Sequence, residues 1–151
     1  MSEQNKRALE LEEQKMVSKA VLLLINQYPE LKTFIGTKLA SFNALDKTNG
    51  IGIFTTSGAV YLIKDIIGGY TAQFPFEIAV KKPTNSDRER MELSNFLESL
   101  AKYVSENKAA IKLDGGRIVE SIEQTTLVNF VGRDGSSDIY RTTLQLKYKK
   151  E

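Results

Sequence analysis

Gly50-Ile51-Gly52 opens like the glycine fingerprint of a dinucleotide-binding loop, whose backbone amides hold a pyrophosphate at a helix N-terminus. The third glycine would have to stand at position 55, which is Thr55, and a strand-forming run follows, so no phosphate loop is expected. Carboxylates offer acid and base chemistry where burial raises a pKa, and Glu77 and Asp65 come closest to such a setting. Glu77 alternates outward, and Asp65 shares parity with Tyr61 and Ile63 near the end of its run, so both read as solvated or salt-bridged. Glu120 and Glu123 stand three apart, on opposite faces of a strand, and form no catalytic pair. Gly115-Gly116 and residues 132–135 compose turns, and the segment beginning at Gly135 lacks the ligand spacing of an EF-hand. Lys147, Lys149 and Lys150 with Tyr148 form a small basic and aromatic set suited to nucleic acid, extended by Lys81-Lys82 if the two hairpins are neighbours. The competing reading is a solvated chain end.

Composition narrows the chemistry further. The chain has neither Cys nor His, which removes disulfides, thiolate or Ser-His-Asp catalysis, and every Cys or His zinc site. Twenty-one Lys plus Arg against nineteen Asp plus Glu give a net charge of +2, too even to attract nucleic acid or a membrane by bulk electrostatics. At 151 residues, 41% hydrophobic and 26% charged, the expectation is one soluble domain spanning residues 1–151, with no cofactor. The longest apolar run, residues 20–25, is far short of the roughly 20 needed to span a bilayer. The polar start, residues 1–7, is not a signal peptide, so the protein is expected to be cytosolic where it is made.

The positioning elements follow from periodicity. Residues 3–27 lack Gly and Pro and carry Leu9, Met16, Val17, Ala20, Val21 and Leu24 at helical spacing, which predicts one long helix ended by Tyr28-Pro29. Its first part, residues 3–15, is mostly polar, and is expected to be a solvated or partner-contacting extension; it lacks coiled-coil heptads. Short strands are predicted at 38–42 and 51–54, with a turn at 46–50 between them. A hairpin is predicted from 59–67 and 70–81 across Gly68-Gly69, with even positions of the second strand facing the core. Pro75 predicts that this strand lies on an edge, is bulged there, or ends its pairing there.

Ser86-Asp87-Arg88-Glu89 is a capping box opening a helix that carries Leu93, Phe96, Leu97, Leu100, Ala101 and Val104 on one stripe and ends near Asn107. A second long hairpin is predicted from 117–131 and 138–149, with Tyr140, Leu144, Leu146 and Tyr148 on the core side. The order helix, strands, helix, strands, with hairpin-linked strands, predicts an α+β fold: an antiparallel sheet with helices on one face. No internal repeat or low-complexity tract is present.

The segment 69–78, reading GYTAQFPFEI, the helix opening Asp87-Arg88 with Phe96-Leu97, Ile122-Glu123-Gln124-Thr125, and the closing 140–148, reading YRTTLQLKY, resemble the minor capsid or tail terminator proteins of tailed phages of Gram-positive hosts. The similarity covers residues 16–149 as a pattern of strands and aromatic positions, and the polar stretch 3–15 departs from it. The resemblance implies a non-enzymatic homo-oligomer, a hexameric ring that caps the tail tube and meets the head connector. Its partners would be tail-tube and head-connector proteins, with DNA at most passing through the lumen and no membrane involved. It implies residence in the host cytoplasm during assembly and then in a virion or a phage-tail-like bacteriocin. Alternation alone marks Gln73, Glu77, Arg141, Gln145 and Lys147 as outward residues for oligomer or partner contacts. The rival expectations are another connector, tail-tube or tail-like bacteriocin component, a small nucleic-acid-binding domain, and, as a residual, a carboxylate-dependent hydrolase using Glu77 and Asp65.

Overall fold

The computed structural model describes residues 7–36 and 39–151. The elements run α1 Leu11–Asn26, α2 Leu31–Ile35, β1 Ser41–Phe42, β2 Gly50–Thr55, β3 Val60–Lys64, β4 Tyr70–Pro83, α3 Asp87–Glu106, β5 Arg117–Asp134 and β6 Ser137–Lys150. Six strands form one sheet in the order β1-β2-β4-β6-β5, with β3 also pairing β4 on the β2 flank. All pairs are antiparallel except β1 with β2, so the fold is α+β with a mixed, mostly antiparallel sheet. One core contains α1 residues Val17, Val21, Leu24 and Ile25, the α3 stripe from Leu93 to Val104, and the helix-facing strand residues Phe74, Phe76, Ile78, Leu144 and Leu146. The helices therefore cover one face of the sheet, as expected from the sequence.

Helix α3 forms where its local signals put it. Ser86 Oγ accepts from the Glu89 amide at 3.2 Å, whereas the Glu89 carboxylate accepts from Asn85 N at 2.7 Å, one residue before the box partner. The helix stops at Asn107, and all six stripe residues are buried.

Helix α1 starts at Leu11, not at residue 3; residues 3–6 and Lys38 lie outside the described residues. Residues 7–9 instead run along β3: Leu9 N donates to Ala59 O, Tyr61 N donates to Arg7 O, and Leu9 is buried. The polar run is thus docked from Arg7 onward, because Leu9 supplies an apolar anchor and the free edge of β3 supplies backbone partners.

Pro75 does not mark an edge strand. β4 lies inside the sheet, paired with β6 from Tyr70↔Lys150 to Pro83↔Ser137. On its other flank β2 pairs as far as Phe76 and β3 begins at Gln73, so Pro75 sits in the gap where neither partner needs its missing N–H. Of the three arrangements open to it, the third is found, on one flank.

The glycines of the Gly50-Ile51-Gly52 stretch serve a close approach instead of a phosphate. The loop 43–49 that joins β1 to its parallel neighbour β2 crosses the sheet face away from the helices. A Cβ at Gly52 would lie 2.3 Å from Ala44 O, and one at Gly50 would lie 3.2 Å from Asp46. Ser137 Oγ pins the loop by donating to Thr48 O at 2.7 Å.

Candidate functional site

The five outward residues share one strip. Cross-strand register places Gln73 opposite Lys147, Pro75 opposite Gln145, Glu77 opposite Thr143 and Ala79 opposite Arg141, all on the sheet face away from the helices. Arg141 Nη1 approaches Glu77 Oε1 at 3.5 Å, and Gln73 Nε2 donates to Gly58 O at 2.9 Å. The strip continues onto β5 through threonines, with Thr125 and Thr126 hydroxyls within 2.9 and 2.6 Å of Thr143 Oγ1. This is a broad polar face built on the two innermost strands. Glu77 is half-buried in it as an ion-pair partner, not as an isolated acid.

Asp65 belongs to the β3–β4 turn. Its Oδ1 accepts from Gly69 N at 2.7 Å and Ile67 N at 3.2 Å, and its own N donates to Gly69 O. The predicted strand 59–67 therefore ends at Lys64, because the Asp65 side chain organises a turn wider than Gly68-Gly69 alone. That turn lifts Ile66 and Ile67 clear of the protein, 103% and 89% exposed. The β-branched pair looks like strand in sequence, so reading by propensity hid it.

The basic and aromatic set is divided by the fold. Lys147 and Lys149 lie on the open face, but Tyr148 is fully buried and its ring is not available for base stacking. Lys81 and Lys82 pair with Ile139 and Asp138 at the far end of β6, about 33 Å from Lys149 at the usual rise per strand residue. Lys81 Nζ is held by Asp134 Oδ2 at 2.6 Å, and Lys82 Nζ stands 3.6 Å over the Phe34 ring. The two lysine groups do not form one patch. Glu120 and Glu123 are both exposed, and among the described residues no cluster of three or more acidic side chains could hold a metal ion. Among the same residues no helix is long and apolar enough to cross a membrane.

Two buried polar centres escaped sequence reasoning. In the first, Glu13 of α1 receives the hydroxyls of Tyr148 and Tyr70 at 2.5 Å each and of Tyr61 at 3.0 Å, with Arg117 Nε at 3.4 Å. Arg117 also donates to Tyr70 Oη at 3.0 Å. Burial works to raise the Glu13 pKa, but the three phenols and the guanidinium outweigh it and hold the carboxyl below its ordinary value. Burial and the Glu13 carboxylate push Tyr70 up to about 12 and Tyr148 higher still. All the phenols are protonated donors at neutral pH, and the group ties α1 to β3, β4, β5 and β6. A signal was present: Tyr70 and Tyr148 stand at core parity, and a buried phenol needs a polar partner.

In the second centre, Asp138 is fully buried at the other end of the sheet. It accepts from Thr84 Oγ1 at 2.7 Å, Arg133 Nε at 2.7 Å and Arg90 Nε at 3.1 Å. The Arg133 hydrogen bond, acting against burial and supported by Thr84 and the charge of Arg90, lowers its pKa. These contacts clamp the start of α3 to the tip of the β5–β6 hairpin. Both centres bury their carboxylates under saturated hydrogen bonding, an arrangement that suits positioning better than proton transfer.

The remaining surface of note is β5. It is 18 residues long, its outer edge has no strand partner among the described residues, and Leu127, Phe130 and Val131 are exposed along it. Its register with β6 shifts at four points, between Val119/Ser121, Gln124/Thr126, Thr126/Asn129 and Phe130/Gly132. Such bulges limit indiscriminate pairing with other chains. Compared with models of protein families and with curated protein sequences, the chain matches none.

Proposed function

We propose that the chain is a non-enzymatic virion assembly subunit that closes into a ring of the tail terminator kind. The observation that carries the reading is β5, a long bulged edge strand with exposed Leu127, Phe130 and Val131 on one flank of the sheet. The opposite flank carries a second apolar feature in Ile63, Ile66 and Ile67. Two different patches on opposite flanks suit a head-to-tail contact, and a head-to-tail contact that closes makes a ring. In this role the ring is a hexamer that caps a tail tube, meets a head connector and lets DNA pass through its lumen. It assembles in the host cytoplasm and ends in a virion or tail-like particle. The polar strip carrying Gln73, Glu77, Arg141, Gln145 and Lys147 is the surface for the stacked partner, since edge contacts leave it open.

Light scattering across a concentration series, followed by negative-stain imaging of the largest species, tests the reading. The expected result is annular particles near 101 kDa, six times the 16.9 kDa subunit. Open tubes would point to a tail-tube component, and a monomer that binds DNA with steep salt dependence would replace the assembly reading with a nucleic-acid-binding one.

A further inference from the structure

Asn49-Gly50 carries a chemistry that the ring reading does not use. Of the eight asparagines in the chain, Asn49 is the only one followed by glycine. A glycine there leaves the backbone amide unshielded by a Cβ and free to reach the preceding side chain, and asparagine is itself a thermally labile residue. The fold requires both members of the pair. Asn49 Nδ2 donates to Ile35 O at 2.9 Å and so ties the end of α2 to the start of β2. Gly50 passes against Asp46, whose backbone N and Cβ would each lie 3.2 Å from a Cβ placed on it. Packing needs an amide at one position and a bare backbone at the next, and their adjacency makes a reactive dipeptide.

We propose that Asn49-Gly50 is a deamidation site whose rate is governed by the docking of α2, and whose reaction undocks α2 in turn. The inference stands apart from the ring reading. In the reaction the deprotonated Gly50 N attacks Asn49 Cγ, the bond from Cγ to Nδ2 breaks, and ammonia leaves with the proton taken from Gly50. Water then opens the five-membered imide at either carbonyl, giving aspartate or isoaspartate. Three restraints oppose the attack in the closed fold. Ser137 Oγ holds Thr48 O, the Ile35 carbonyl holds the Asn49 amide, and Gly50 enters β2 buried and opposite Lys81. Local opening of the loop therefore has to precede the chemistry. The product replaces a donor with a carboxylate facing the Ile35 carbonyl, so a hydrogen bond becomes a repulsion between two acceptors. Isoaspartate also adds a methylene to the backbone where Gly50 already abuts Asp46. Helix α2 has only five residues, held by buried Leu31 and Ile35 and by Phe34 stacked on Phe96 at 4.3 Å, so the tie at its end is a large share of its anchorage.

The test incubates the full chain at mildly alkaline pH, native and in urea, and follows the mass gain at each asparagine by peptide mapping. In urea Asn49 should react first, at a rate that rises with pH, and Gly50→Ala should remove its lead over the other asparagines. In the native protein Asn49 should react about 10-fold more slowly or less, the protection expected of a site that reacts only when locally open. Gly36→Ala strains the residue directly after Ile35, which has φ +100° and open space around it, and should narrow the gap between native and urea rates. Asn49→Asp should speed tryptic cleavage after the exposed Lys32, inside α2, about 5-fold, the loss of one hydrogen bond. Another asparagine reacting first in urea would overturn the site. Equal native and urea rates would overturn the protection, and folded Gly36→Ala reacting at the wild-type rate would overturn the part played by α2. Wild-type cleavage at Lys32 in Asn49→Asp would overturn the undocking. The comparison of native with urea uses wild-type protein, so it decides the protection even where Gly36→Ala does not fold.

Discussion

Replacing Glu13 with Gln tests whether the polar first turn of α1 is docked or solvated. The carboxylate accepts from three phenols and one guanidinium, and its side chain is 7% exposed. Hydrogen bonds to a charged group contribute about 1.5–3 kcal/mol each, and breaking a buried ion pair from one side costs about 3–5 kcal/mol. Gln keeps the shape and one acceptor oxygen, and the phenols can rotate, but Arg117 loses its counter-charge. The net expectation is a loss of about 3 kcal/mol, or about 6–12 °C in Tm for a chain of this size. Tyr148→Phe removes one donor and should cost about half as much. The pH profile carries a second signature. The Glu13 pKa is lower in the folded state than in the unfolded one, so its stabilisation is complete above the unfolded value, about 4.3, and is lost as pH falls through the folded value. Urea titrations of wild type and Glu13→Gln at pH 7 and across the acid range measure both effects. A variant within 0.5 kcal/mol of wild type, with the same acid limb, would refute the hub and return the first turn of α1 to the solvated state expected for residues 3–15.

The raised phenols act in the opposite pH direction. Tyr70 and Tyr148 hold their protons more tightly folded than unfolded, so their contribution is intact below pH 10 and is lost as pH rises beyond it; Tyr148→Phe should blunt that alkaline loss in a thermal-melt series. Asp138→Asn should destabilise by about 2–3 kcal/mol in urea titration, less than a fully enclosed pair, because Arg90 and Arg133 still reach water. Gly52→Ala forces loop 43–49 away from the sheet and should cost about 1–3 kcal/mol by calorimetry, while Gly132→Ala, with open space around it, should be near neutral.

What could be read from sequence was local. The Ser86 cap and the α3 stripe lie within single helical turns, and the alternation of β4 and β6 lies within single strands, so both emerge from short windows. Pro75 shows where that reasoning stops. Proline requires a missing partner on one flank, and only the meeting of β2 and β3 along β4 reveals that a gap supplies it inside the sheet. Glu13 shows the same limit more sharply. It stands in a polar run beside Glu10 and Glu12, and its burial depends on tyrosines 48, 57 and 135 residues away. Parity puts the five strip residues on one face, but the flank features, the exposed Ile66 and Ile67 and the bulged edge of β5, depend on which strands end the sheet.

The span of the Glu13 hub bears on how the protein is made. A chain leaving the ribosome exposes α1 early, yet the acceptor on that helix lacks a full set of donors until β6 has been synthesised. Translation that stops within β6 yields a helix whose charge has no place to bury and a sheet missing one of its innermost strands. Such fragments cannot present the flanks of the finished domain. The hub therefore couples burial of the α1 carboxylate to completion of β6, and Glu13 reaches its full set of donors only when the two ends of the described fold have met.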